Sequence, residues 1–157
     1  MGGRDRSTIS YSLDVDRQAH RLLQLGILLF LVALLVGLAV PRFAVPRLAL
    51  SVHLLGLMQG LFLLVLGLLW PRLKFTRRMS TIAFWLAVYG CFAAWTANFL
   101  AAFWGAGNTI VPIAAGAARG SDLQEGIINV GLRTAAVSLV ATAVLVLWGL
   151  RSSDESR

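Results

Sequence analysis

The stretch "LLQLGILLFLVALLVGLAV", residues 22–40, decides the fold. It is apolar throughout except for Gln24. About 20 such residues are what a helix needs to cross the hydrocarbon of a bilayer. Three more runs of that kind follow, at Leu48–Trp70, Met79–Trp104 and Ile127–Leu150. A backbone facing lipid has to satisfy its own hydrogen bonds, so each run reads as a helix. The expected fold class is therefore all-α, an integral membrane four-helix bundle. Composition agrees: 58% of the 157 residues are hydrophobic and 13% are charged. A soluble domain has about 25% charged residues.

Prolines mark the boundaries. "VPRFAVPR" (40–47) and "WPRLKFTRR" (70–78) stop one helix and permit the next. The expected organisation is a tail at 1–21, one membrane domain at 22–150 (spans 22–40, 48–70, 79–104 and 127–150) and a tail at 151–157. The first run is too long for the core of a signal peptide, and no small-residue cleavage site follows it.

The net charge of +7 raises nucleic acid as a partner. The positions of the bases argue against it. Ten lie in the ends and loop of one side, and Arg42, Arg47 and Arg119 lie on the other. That asymmetry places both termini in the cytoplasm and the chain in the inner membrane as a multi-pass protein. The single cysteine, Cys91, excludes an internal disulfide and a Cys-rich metal site.

Polar residues inside the spans are few and segregated. At 1.5 Å per residue, His53 lies about 8 Å and Gln59 about 17 Å below the start of the second span. Asn98 lies about 9 Å from the outer end of the third. Glu125, Asn129 and Arg133 descend the fourth at i, i+4 and i+8. All fall in the outer half of the bundle or at its middle. An intramembrane charge costs about 2.5–3.5 kcal/mol on insertion scales, so it should face a partner or a wet cavity. Glu125 is the expected partner of Arg133, bridged by Asn129 or water. The competing reading is a structural staple, with Asn98 and Gln59 as interhelical glue. Gly56 and Gly60 form a GxxxG on the face of His53, and Ala87, Cys91, Ala94, Asn98, Ala101 and Gly105 form a small-residue stripe. Trp70, Trp104 and Trp148 read as an aromatic belt at span ends, and Trp95 as a pocket wall. Ser121 and Gln124 form a capping box. The Gly- and Ala-rich segment 105–122 reads as a lid over the polar cluster, or else as a flexible connector.

Several longer stretches carry a resemblance. "RLALSVHLLGLMQGLFLLVLGLLWPRL" (47–73), "AFWLAVYGCFAAWTANFLAAFWGAG" (83–107), "PIAAG" (112–116), "QEGIINVGL" (124–132) and "LVLWGLR" (145–151) are similar to the small bacterial hydroxylaminobenzene mutase family. The likeness runs from about Leu22 to Arg151. It implies an isomerase that converts hydroxylaminobenzene to 2-aminophenol, as in nitroarene degradation, with no organic cofactor.

Chemistry then assigns roles. The N–OH oxygen must be protonated to leave as water, the aryl cation stabilised, and oxygen delivered to the ortho carbon. Glu125 is the expected acid unless Arg133 holds it ionised; it is then the base and His53 the acid, or the two exchange roles. Tyr89 and Trp95 can stabilise the cation by π contact. Gln59, Asn98 and Asn129 can bind the hydroxylamine. Excluding bulk water prevents attack at the para carbon. The alternatives are a haem protein with His53 as a single axial ligand, a quinone-binding protein, a non-catalytic accessory subunit, and an oligomeric transporter. Four short spans with small-residue faces suggest a homo-oligomer.

Overall fold

The computed structural model describes residues 3–43 and 45–151, with side chains from Ser12 onward. Of the tail expected at 151–157, Arg151 ends the last helix and residues 152–157 lie outside the described residues. Four long helices dominate: α1 (Gly3–Ala39), α2 (Pro46–Leu69), α3 (Arg77–Trp104) and α5 (Asp122–Arg151). The short α4 (Pro112–Ala115) sits in the α3–α5 connection. All four long helices are long and apolar enough to cross a membrane. The chain is an all-α, multi-pass membrane bundle.

Helix ends follow local chemistry. Pro41, Pro46, Pro71 and Pro112 each stand in a first turn, where a missing N–H is no loss. The Thr76 hydroxyl caps α3 by accepting the Met79 N–H at 3.4 Å. Gly105 ends α3 in the left-handed conformation, φ 66°, and the Ala106 N–H returns to the Ala101 carbonyl at 2.9 Å. At α5 the Ser121–Gln124 capping box forms in both directions.

The first helix begins far earlier than its apolar run. No proline interrupts residues 3–39, and α1 continues through the segment read as a tail. Tertiary partners hold it there. Gln18 Oε1 accepts from Trp70 Nε1 at 3.0 Å and from Ser80 Oγ at 2.6 Å, and Asp14 pairs with Arg77 at 2.7 Å. Trp70 is consequently buried, at 1% exposure, and is not part of a lipid-facing belt.

Buried positions recur with alternating spacings of three and four. On α1 they are Ala19, Leu22, Gly26, Leu29, Ala33 and Val36; on α3 they are Ser80, Ala83, Ala87, Gly90, Ala94, Ala97 and Ala101. This is the seam of left-handed helix packing. The helices run in the order α1–α2–α3–α5. α1 packs along α2, α3 packs along α5, and the α2–α3 contact joins the two pairs. Glycine sets the separations. A Cβ at Gly60 would stand 2.9 Å from the Gly26 carbonyl oxygen, and one at Gly26 would stand 2.8 Å from that of Gly60. Gly56 admits Ala33 and Trp95 in the same way. The expected GxxxG and the stripe on α3 are both packing faces.

A side chain at Gly60 should therefore separate α1 from α2. Gly60→Val is expected to lower stability by about 1–3 kcal/mol. Gly126→Ala has open space around its Cβ and should be neutral, or stabilising by up to about 1 kcal/mol. Thermal unfolding of both variants in one detergent checks the pair.

Candidate active site

The residues singled out from sequence fall into three places. The first is the interior near the C-terminal ends of α1 and α3 and the N-terminal end of α2. His53 Nδ1 lies 2.8 Å from the Ala33 carbonyl oxygen, so the N–H sits on Nδ1 and Nε2 faces away. Nε2 has no partner among the described residues. Gly37 of α1 makes room for the imidazole ring. One turn along α2, Gly56 touches both Ala33 and the indole edge of Trp95. Trp95 stacks on Phe99 at 5.3 Å. Gln59 is 7% exposed, and neither its Oε1 nor Trp95 Nε1 has a hydrogen-bond partner among the described residues. Asn98 turns its amide onto the Ala94 carbonyl of its own helix at 3.0 Å.

Two orphaned polar atoms in one apolar interior are unusual. Leaving one unpaired costs about 1–3 kcal/mol, and native structures hold few of them.

The second place is the α3–α5 connection. Gly107 at φ 106° turns its N–H onto Glu125 Oε1 at 2.8 Å. The Asn108 and Gly120 N–H groups reach the same oxygen, both at 3.2 Å. The Thr109 N–H reaches Oε2 at 3.1 Å. Four donors on one carboxylate match its ionised form, which only accepts. Glu125 thus clasps the segment. Beside it, a cavity of about 550 Å³ is lined by Asn108, Thr109, Arg119, Asp122 and Asn129, among others. Asn129 Oδ1 is a third buried orphan. The segment also packs onto the bundle: Ala115 joins a cluster with Leu48, Ala49, Val52, Ala101 and Ile128.

The third place is the outer surface of α3 and α5. The Tyr89 hydroxyl meets Thr134 Oγ1 at 2.8 Å, and Tyr89 is 49% exposed. Arg133 is exposed and makes no ion pair among the described residues. The expected Glu125–Arg133 pair does not form. Backbone N–H groups engage both oxygens of Glu125, and Arg133 projects from another side of the helix. Tyr89 and Arg133 do not join the other residues. What sequence reasoning missed was the cradle of loop N–H groups. Its signal was the pair of glycines in "GAGN" (105–108), which permits the left-handed turns.

These features define a small helical membrane protein with unpaired polar groups in its interior and a structured loop between its last two long helices. The chain belongs to the styrene oxide isomerase family, whose family model matches residues 18–151, and it is thereby a member of an isomerase family. It is 50% identical over 139 residues to the hydroxylaminobenzene mutase HabB of Ectopseudomonas oleovorans, covering 88% of this chain and 85% of that one. It is 38% identical over 125 residues to the hydroxylaminobenzene mutase HabA of the same organism, covering 80% and 93%. No solved structure matches it.

Glu125→Ala should release the 105–121 segment, because each hydrogen bond to a charged acceptor contributes about 1.5–3 kcal/mol. Tryptic cleavage after Arg119, followed by mass spectrometry, should quicken at least tenfold. Unchanged cleavage would show that apolar packing around Ala115 holds the segment unaided.

Proposed function

We propose that the chain is a membrane-embedded isomerase that rearranges an arylhydroxylamine, hydroxylaminobenzene, to the ortho-aminophenol. The observation that carries this reading is the 50% identity, over most of both chains, to a hydroxylaminobenzene mutase. The unpaired interior groups support this reading. A hydroxylamine offers N–H and O–H donors and a basic oxygen. Gln59 Oε1 can accept from it, and Trp95 Nε1 can donate to it.

In this reading His53 is the acid. As imidazolium it keeps Nδ1–H on Ala33 and presents Nε2–H to the hydroxyl oxygen. Protonation lets the N–O bond break and water leave, with the bonding pair going to oxygen. The aryl cation is stabilised by the faces of Trp95 and Phe99. Water then adds at the ortho carbon and the ring loses one proton, which returns the proton count to its start. Asn98 and Asn129 remain candidate substrate ligands. Glu125 acts indirectly, by holding the loop that keeps bulk water from the para carbon. The reading places the chain in the inner membrane with cytoplasmic termini. It also takes the protein as a homo-oligomer, since α5 exposes most of its length, Arg133 included.

A second reading rests on the same imidazole. Metal-ligating histidines commonly donate their other N–H to a backbone carbonyl, as His53 does. His53 could therefore hold haem through Nε2, and a bound haem would supply Lewis-acid chemistry. A Soret band in the purified protein that His53→Ala removes would establish that reading.

His53→Ala should lower 2-aminophenol formation by about 10²–10⁴-fold, the usual contribution of a general acid. Gln59→Leu should cost about 10- to 100-fold in kcat/KM by removing one substrate hydrogen bond. It should leave thermal stability unchanged or higher, because an orphaned polar atom is removed as well. Chromatography that resolves 2- from 4-aminophenol reads the activities. Full activity in both variants would sink the assignment of this interior as the site.

A further inference from the structure

A second cavity lies at the opposite end of the bundle, between the first turns of α3 and the matching stretch of α1. It has a volume of about 270 Å³. Arg17, Arg21 and Arg77 line it, with Asp14, Ser80 and Thr81. Three guanidinium groups face one carboxylate, which leaves a net charge of +2. Asp14 is occupied by Arg77, and Arg17 and Arg21 have no acidic partner among the described residues. The Gln18–Trp70–Ser80 hydrogen bonds hold one wall rigid.

Its height in the membrane is set by sequence. Arg21 immediately precedes the apolar run that starts at Leu22, so the guanidinium groups stand just outside the hydrocarbon, where phosphates of the nearby leaflet lie. A second feature joins it. A groove of about 390 Å³ with almost wholly apolar walls, including Ile82, Trp85 and Leu86, continues along α3 and shares Thr81 with the basic cavity. Ile82 and Trp85 are 54% and 60% exposed. A charged cavity at phosphate height with an exposed apolar groove next to it has the two-part chemistry of a phospholipid.

We propose that this cavity binds the phosphate of an anionic phospholipid, with Arg17 and Arg21 on the headgroup and an acyl chain along Ile82 and Trp85. The shared chemistry is a phosphate ester, so a soluble phosphate is the other source. Arginine suits it because its planar fork matches phosphate oxygens. Net positive charge selects anionic over zwitterionic headgroups. None of these residues belongs to the proposed catalytic interior.

The test uses the full chain purified in a neutral detergent. Native mass spectrometry and thermal unfolding would be run with phosphatidylglycerol, phosphatidylcholine or inorganic phosphate. Phosphatidylglycerol is expected to be retained and to raise Tm by several degrees, with the other two far weaker. R17Q/R21Q should weaken phosphatidylglycerol about 20- to 30-fold, at about 1 kcal/mol for each arginine. R72Q/R78Q removes the same charge from the same side and should weaken it less than threefold. Should R17Q/R21Q insert poorly, W85A in the acyl groove is expected to lower phosphatidylglycerol retention several-fold. Equal responses to both phospholipids, or equal losses in the two double-arginine variants, would overturn the site. So would full retention in W85A. A phosphate effect matching that of phosphatidylglycerol would overturn the lipid assignment in favour of a soluble anion.

Discussion

A backbone N–H near hydrocarbon has no water to turn to, and every departure from helix here has to answer that constraint. The four long helices answer it internally. The connection between α3 and α5 cannot, because glycines at 105, 107 and 116 take it out of helical geometry. One side chain supplies the missing acceptors. Glu125 collects N–H groups from Gly107, Asn108, Thr109 and Gly120, and the rest of that end of the bundle follows. With those groups satisfied, Ala115 can seat among Leu48, Ala49 and Ile128 and close the bundle above His53 and Trp95. In the fold this acid anchors a segment of backbone.

The structure also separates two kinds of polar residue that a membrane helix can carry. Asn98 is satisfied on its own helix, and Gln18 by two partners across the bundle. Those residues have a structural explanation. Gln59 and Trp95 hold buried polar atoms that nothing among the described residues satisfies. Their desolvation is not repaid by folding, which makes them the strongest pointers to a ligand. Burial alone would not have separated Gln59 from Asn98, at 7% and 9% exposure.

Much of this was legible in sequence where the cause was local. The spans, the proline-marked turns and the Ser121–Gln124 capping box depend on neighbours within a few residues. The glycines at 56 and 60 were legible by spacing, although their partners, Gly26 and Ala33, were not. The failures were non-local. Glu125 meets N–H groups up to 18 positions away, and a backbone donor has no letter in the sequence. Pairing Glu125 with Arg133 assumed that a membrane charge finds its partner along its own helix. Trp70 read as a belt residue because its acceptor, Gln18, lay in a stretch read as a tail.

The arrangement of the helices has a consequence for biogenesis. α1 and α2 are adjacent in the chain, joined by a short turn, and fitted backbone to backbone at Gly26 and Gly60. They can zip into a hairpin as soon as both have left the ribosome. α3 and α5 form a second hairpin only after the long connection has been synthesised. The polar interior draws Gln59 from the first hairpin and Trp95 from the second. Neither half of the nascent chain holds it alone, so the bilayer meets these unpaired groups as a set only when synthesis is nearly complete.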